Sequence, residues 1–464
     1  MLRPLICRQN ELARLTQVVD IATTGKPQLV VLSGPRRVGK TFLLRHLIQA
    51  IGPGISAVYF EANQAAEVAQ LRRFGEVLAP ALDPEDAALL QPFANWEHAL
   101  NFCAATARTR PLLIVIDEVT YLMGSTTGFA SIVQTVWDRI APLANAPSLV
   151  IVLAGSATAM IEDTLSYSGA LYQRPTQVIR LSPFTAAEAY SYCGRPEPEA
   201  LFEAYAACGG YPLHLDAWDF GQSARENLLQ LAGSPGGLLL EDAVILLDRL
   251  PDPQSRILLA IGQGRSRRSE IANEVGSRLE RPLDSCLRTG FVCAIKPIGS
   301  PRKARRQYRI ADTYLRFWIR ILADHVQRIE GGQGEEVISH THGEWQNQLG
   351  SVFEQAAREH AIGLVRSGVL PTGTLIDEWW TTSGEQIQVD VLGLLDHRSV
   401  VIGEAKWQKQ PLGTSDAAGL WRALRYVPDP IPEPTFILWG RGGVRQDATT
   451  SHLLGFGPAE MLAY

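Results

Sequence analysis

The sequence lacks what would tie it to a membrane or to an oxidising compartment. No apolar run approaches the ~18–20 residues needed to span a bilayer. The opening stretch, MLRPLICRQNELARL, has no apolar core long enough for a signal peptide. Six cysteines (7, 103, 193, 208, 286 and 293) lie far apart with no C-x-x-C pair, which speaks against a disulfide framework and against a zinc knuckle. Reduced, mostly buried thiols in a cytoplasmic protein without membrane contact are expected. Internal repeats and long low-complexity tracts are absent as well. What is present is ordinary globular material: 46% of the 464 residues are apolar, enough for sizeable cores and for three or four domains.

Charge is modest overall, with 20% charged residues and a formal net charge of −5, but it is unevenly spread. Between Arg256 and Arg320 there are 15 Lys+Arg against 5 Asp+Glu, a local surplus of +10 that leaves −15 for the rest of the chain. A basic island in an acidic protein predicts a localised anion-binding surface.

Five short, nearly unbroken apolar runs mark the first 190 residues: Leu29–Ser33, Ile55–Glu61, Pro111–Glu118, Leu149–Gly155 and Gln177–Leu181. Helical patterns separate them, for example Lys40–Ala50 and Trp96–Arg108. This alternation predicts an α/β domain with a doubly wound parallel sheet, its strands covered on both faces. From about 196 to 250 the pattern is helical, broken by the turn Cys208-Gly-Gly-Tyr-Pro212. Three helix-length segments and a β-rich pair follow to about 310. GGQGE (331–335) reads as a linker, and a separate α+β stretch runs from about 345 onward.

The stretch GPRRVGKT (Gly34, Pro35, Arg36, Arg37, Val38, Gly39, Lys40, Thr41) fits G-x-x-x-x-G-K-[ST], between an expected strand and an expected helix that continues with Phe42. Such a loop wraps backbone N–H groups around a β-phosphate at a helix N-terminus. Lys40 would neutralise the β- and γ-phosphates, and Thr41 would offer its hydroxyl to Mg²⁺. In LLIVIDE, Asp117 ends a buried strand, where a lone carboxylate is costly unless it faces a cation. Asp117 is therefore the expected second Mg²⁺ residue, with Glu118 orienting or deprotonating the attacking water; an acidic pair capping the next segment is the alternative. Ser156, at the end of LVIVLAGS, is a candidate γ-phosphate sensor or a helix N-cap. Arg174 is either an arginine finger acting in trans, which would imply a homo-oligomer, or a surface arginine.

The order of Arg8-x-x-Glu11-Leu12, GPRRVGKT, LLIVIDE, LAGS, LYQR and CGGYPLHL resembles the archaeal-type ATPase family, an AAA+/STAND-related clade of P-loop NTPases. The resemblance implies that Arg8 and Glu11 begin a helix flanking the adenine pocket. It also implies that Tyr211 and Pro212, in a helical lid, close over the nucleotide, and that ATP with Mg²⁺ is the cofactor. Domain boundaries of 1–195 (ATPase core), 196–250 (lid), 251–325 (winged helix) and 340–464 (nuclease-like) follow.

Within the basic island the segments Pro253–Gly262, Ser269–Val275 and Arg278–Gly290, then Phe291–Pro297 and SPRKARRQYRI, have the layout of a winged helix-turn-helix. Leu279–Thr289 would be its recognition helix and Gly299–Arg306 its wing. Arg265, Arg267, Arg268 and the wing residues Arg302, Lys303, Arg305 and Arg306 suit phosphate-backbone contact with DNA. A module contacting only its own ATPase domain is the other reading. In IADTYLRFWIRIL, which resembles the family's D-x-x-x-R-F-W segment, Leu315, Phe317, Trp318 and Ile319 are expected to pack a domain junction.

The last stretch places Glu354 on a helix, Asp390 on one strand, and Glu404 and Lys406 on the next, where i and i+2 share a face. Asp390 precedes Glu404 by 14 residues, a hairpin distance with a turn near Asp396-His397-Arg398. Two carboxylates and a lysine so placed bind Mg²⁺ and activate water for phosphodiester attack. The set resembles the restriction-endonuclease-like PD-(D/E)XK domain of the same family, which implies metal binding by Asp390 and Glu404, a catalytic Lys406 and an accessory acid in Glu354. Gln388 stands where that family usually has Glu, so one ligand is lost. His340-x-His342 has metal-like spacing, but a solvated loop is expected. Two functions therefore stand open: an ATPase coupled to a DNA-associated nuclease, and a STAND-like ATP/ADP switch with a non-catalytic C-terminal module.

Overall fold

The apolar runs of the first half become five parallel strands: β1 (Gln28–Gly34), β2 (Ser56–Glu61), β3 (Leu112–Asp117), β4 (Leu149–Ser156) and β5 (Gln177–Arg180). The structure, a computed structural model, describes residues 2–156, 159–248, 250–276, 279–382, 384–450 and 452–463. It divides into two compact units, Met1–Pro183 and Phe184–Tyr464.

In the first unit the strand order is β2-β3-β4-β1-β5. β1 and β3 are buried along their whole length, as their near-continuous hydrophobicity requires when helices cover both faces. Alternate residues feed two cores. Leu29, Val31, Ile114, Ile116 and Leu153 meet Phe74, Trp96 and Phe129 on one side. Val30, Leu32, Leu113, Val115 and Val152 meet Leu15, Leu43 and Leu47 on the other. This is the α/β fold of a P-loop NTPase, with β4 lying between β1 and β3.

The second unit opens with helices Ala186–Tyr192, Pro198–Cys208, Pro212–Ala217, Ala224–Leu231 and Leu238–Asp248. Three more follow, Asp252–Gly262, Arg268–Val275 and Glu280–Arg288, and then an antiparallel pair, β6 (Val292–Ile295) and β7 (Gln307–Ile310). Arg278, the expected start of the third helix, lies outside the described residues. Arg267 adds a bridge to Gln307 at the edge of the pair. Leu315, Phe317, Trp318 and Ile319 are all buried. Two polar ties fix this segment inside the unit: Tyr314 Oη donates to Leu239 O (3.0 Å) and Trp318 Nε1 to Leu240 O (2.9 Å).

GGQGE is not a linker. Gly334 starts a helix (Gly334–His340) and is buried; a Cβ there would lie 1.6 Å from Gly233 O. The glycines read as flexible because composition does not reveal a backbone-to-backbone approach. His340 ends that helix and His342 begins the next, His342–Arg366; both are exposed, at helix ends and not in a loop.

The long helix packs on a separate mixed sheet, order β12-β11-β10-β9-β8: β8 (Leu375–Trp380), β9 (Gln388–Leu395), β10 (Arg398–Lys406), β11 (Pro430–Gly440) and β12 (Leu453–Phe456). β8–β9 and β9–β10 pair antiparallel, β10–β11 and β11–β12 parallel. The β9–β10 hairpin turns at Asp396 (φ 50°) and His397 (φ 69°), the two positive φ angles of a type I′ turn. Helix Thr414–Ala423 covers the other face through Ala417, Leu420 and Ala423. Among the described residues no helix is long and apolar enough to cross a membrane.

Candidate functional site: a phosphate loop and a buried aspartate

β1 delivers Gly34 into a tight loop, and helix Lys40–Ala50 begins as the loop closes. Gly39, at φ +97°, holds the left-handed conformation that lets the chain turn into the helix. Val38 is buried under the loop, Pro35, Arg37 and Phe42 are half-buried, and Arg36 is exposed. Lys40 is buried, and its Nζ donates to Gly34 O (2.9 Å) and Pro35 O (2.8 Å), holding the loop closed on itself. Burial pulls the Lys40 pKa down, while Glu118 and Asp117 oppose that shift. Among the described residues no carboxylate lies within ion-pair distance of Lys40.

Asp117 ends β3 and is 1% exposed. One of its oxygens, Oδ2, accepts from Thr41 Oγ1 (2.7 Å) and from Tyr59 Oη (2.6 Å); the other accepts from the Glu118 backbone N–H (2.9 Å). The first helical turn after the loop and two parallel strands thus converge on one carboxylate. A hydroxyl and a carboxylate oxygen in contact are the hard oxygen donors that suit Mg²⁺, so these residues fit the ion. Glu118 follows at φ 52°. Burial raises its pKa, with Lys40 pulling the other way. Ser156, at the end of β4, is in register with Gly34, so it stands between the loop strand and the Asp117 strand.

Tyr59 escaped the sequence reading. Its signal was a lone hydroxyl in the apolar run AVYFE, on the face shared with Asp117 through the β2–β3 register. Burial and the Asp117 hydrogen bond push its pKa well up, keeping it a donor.

The outlying residues are placed as follows. Arg8 precedes helix Gln9–Thr23 and donates to Ser182 O (2.6 Å), with Glu11 3.4 Å away. Arg174 forms a two-pronged pair with Asp138 (3.0–3.2 Å) inside its own subunit, which a role in trans would have to break. In the second unit Tyr211 is buried with its hydroxyl on Asp312, and Pro212 opens a short helix.

The β9–β10 register brings the C-terminal acids together: Val391 faces Gly403, so Asp390 and Glu404 are neighbours. Asp390 Oδ2 accepts from Ala405 N (3.0 Å) and Oδ1 from Gln388 Nε2 (3.3 Å). Burial raises the Asp390 pKa, with the Ala405 N–H opposing and Glu404 adding to the rise. Glu354, on the long helix, is pushed up to about 7 by burial and by Asp390. Lys406 Nζ is bound by Glu404 (3.2 Å) and by Asp416 (3.0 Å), the latter unforeseen. Burial alone would lower the Lys406 pKa; the two carboxylates outweigh it. Among the described residues no three His, Cys, Asp or Glu side chains stand where they could share a metal ion. The two strands thus gather a carboxylate pair and a lysine whose charge is already matched.

The basic island is partly self-neutralised. Arg265, Arg267, Arg268 and Arg288 pair with Glu274, Glu270, Glu280 and Asp284. The turn before β7 is different: Arg302, Lys303, Arg305 and Arg306 are all exposed, and among the described residues no carboxylate pairs with them.

Known proteins resemble this chain in sequence and in fold. An uncharacterized protein of Methanocaldococcus jannaschii is 26% identical over 427 residues, covering 90% of each chain. A Walker-type ATPase of Pyrococcus abyssi superposes with a TM-score of 0.51 at 20% identity, over 69% of this chain and 99% of that one, a likeness of fold. The ORC2 protein of Aeropyrum pernix, solved in ADPNP–ADP complexes, gives 0.47 at 14% identity over 72% and 96%. Residues 318–418 match a family of archaeal and bacterial proteins of unknown function. Residues 8–217, carrying the loop, Thr41, Tyr59 and Asp117, match the model of an ATPase domain found predominantly in Archaea.

Proposed function

We propose that the chain is a Mg²⁺-dependent ATPase whose basic hairpin turn engages DNA. The observation that carries the first half is the convergence of Thr41, Tyr59 and Asp117 beside the Lys40 loop. On this reading the loop N–H groups and Lys40 bind the β- and γ-phosphates, with Lys40 exchanging its carbonyl contacts for phosphate oxygens. Thr41 and Asp117 would hold Mg²⁺, which supplies charge neutralisation between the two phosphates. Glu118, whose pKa burial raises, orients and deprotonates the attacking water. Ser156 senses the γ-phosphate from the neighbouring strand end. Arg174, engaged with Asp138, has a structural role in the isolated chain. Replacing Lys40 by Ala should abolish nucleotide binding; unchanged ATP affinity in that variant would remove the basis of the assignment.

The second half rests on Arg302, Lys303, Arg305 and Arg306, four exposed cations on the turn of a winged helix, whereas Arg265, Arg267, Arg268 and Arg288 before them sit in local ion pairs. For the C-terminal sheet we favour a non-catalytic or switch-like role over phosphodiester cleavage. Supporting this is the double ion pair that occupies Lys406, together with the absence, among the described residues, of a third carboxylate placed to share an ion with Asp390 and Glu404. Incubating the full chain with Mg²⁺ or Mn²⁺, with and without ATP, on single- and double-stranded DNA decides between them. Cleavage lost in Asp390→Ala and Lys406→Ala would restore the nuclease.

A further inference from the structure

Behind the β6–β7 pair lies a cavity of about 140 Å³, walled by Ile261, Tyr308 and Ile310 and by three arginines, Arg309, Arg316 and Arg320. Three arginines around one cavity are unusual, because each guanidinium buried without a counter-charge is costly. Arg316 is the extreme case. It is 5% exposed, and its Nε donates to Gln348 Oε1 (3.1 Å). Gln348 is itself fully buried and spends both amide hydrogens on Ala206 O (3.0 Å) and Thr313 O (3.1 Å). Its oxygen must therefore face Arg316, which fixes the guanidinium in place. Yet Arg316 Nη2 is buried without any hydrogen-bond partner.

The counter-charge nearby is insufficient. Arg309 pairs with the buried Glu378 (2.9 Å). Arg320, exposed at the rim, donates to the carbonyl of Gly262 (3.4 Å). Asp312, the next carboxylate, is occupied by the Tyr211 hydroxyl and the Leu315 N–H (2.7 Å). Among the described residues no carboxylate reaches ion-pair distance of Arg316 or Arg320. Burial, Arg320 and Arg309 push the Arg316 pKa down to about 10, with Tyr205 and Asp312 opposing them only in part.

We propose that the cavity is a binding site for a phosphoryl oxyanion, separate from the nucleotide loop, with Arg316 as its floor and Arg309 and Arg320 at its sides. A planar guanidinium with a free N–H edge presents donors to tetrahedral oxyanions in fork geometry. The volume is close to that of a cavity that holds one benzene ring, so it takes a single phosphate and not a nucleoside. The anion is either free phosphate or the terminal phosphate of a small molecule whose remainder projects past Arg320.

The test uses the full chain carrying Lys40→Ala, which disables the nucleotide loop, and titrates inorganic phosphate and ribose 5-phosphate by calorimetry. Saturable binding of phosphate is expected, weakened about tenfold or more by Arg320→Gln, the loss of one charge-assisted contact. Arg316→Gln should abolish it, and Arg316→Lys, which keeps the charge but not the fork, should recover only part. Binding of inorganic phosphate without ribose 5-phosphate identifies the free anion; equal or tighter binding of the sugar phosphate identifies the terminal group. No saturable phosphate binding in the Lys40→Ala chain overturns the proposal, as does unchanged affinity in Arg320→Gln. Arg320 is exposed, so its variant remains decisive even where Arg316→Gln fails to fold.

Discussion

Replacing Glu354 with Gln should make the protein more stable at alkaline pH and leave it unchanged in acid. In the folded protein this carboxyl is pushed up to about 7 by burial and by the nearby Asp390, against an ordinary value of 4.5. Below about pH 4.5 the group is protonated in folded and unfolded chains alike, and it adds no pH-dependent term. Between 4.5 and 7 the unfolded chain has lost the proton that the folded chain still holds, so rising pH favours unfolding. At 1.36 kcal/mol per unit, the full difference is about 3 kcal/mol above pH 7, and sharing of the proton with Asp390 trims it to about 2–3 kcal/mol. For a domain of this size that is roughly 4–12 °C in melting temperature. The assay is thermal unfolding of native protein and Glu354→Gln from pH 4.5 to 8.5. The difference should open with pH and level off above 7. A flat difference, or a variant less stable at pH 8, would refute the reasoning. Mn²⁺ added at pH 8 is an internal check: a cation bound between the acids would cancel the native protein's deficit, and no effect fits the non-catalytic reading.

Other outcomes are equally definite. Tyr59→Phe removes a charge-assisted hydrogen bond to buried Asp117 and should cost about 1–2 kcal/mol, read in denaturant unfolding without nucleotide. Because Thr41 donates to the same oxygen, a double-mutant cycle with Thr41→Val should be non-additive; simple additivity would contradict the shared contact. Changing Arg302, Lys303, Arg305 and Arg306 together to Ala should weaken DNA binding and flatten its dependence on log salt by up to ~0.9 per phosphate contact removed. An unchanged slope would assign the turn a purely structural role.

The sheet of the first unit was legible because parallel strands buried on both faces leave continuous apolar runs, and all five fell within two residues of their expected bounds. The hairpin joining Asp390 to Glu404 was legible for a related reason: strand parity and a 14-residue spacing leave little choice of register. What escaped depends on partners distant in sequence. Tyr59 looked like one more strand aromatic until Asp117 came beside it. Asp416 gave no sign that a helix turn would set it against Lys406. Gly334 looked like linker material, yet its lack of a side chain admits Gly233. The basic island was real as a sum, but four of its arginines are paired locally, while Arg302, Lys303, Arg305 and Arg306 have no carboxylate partner among the described residues. Arg316 looked like part of a packing segment, and its missing counter-charge became apparent only with the cavity around it.

The proposed chemistry turns on Glu118 acting in hydrolysis at a loop that binds ATP. Turnover of ATP by Glu118→Gln, measured at saturating ATP and Mg²⁺ beside the native chain, tests this most directly. Hydrolysis at least ~100-fold slower, with ATP affinity retained, is the predicted result. Turnover within about threefold of native, an effect too small for loss of a general base, would contradict it.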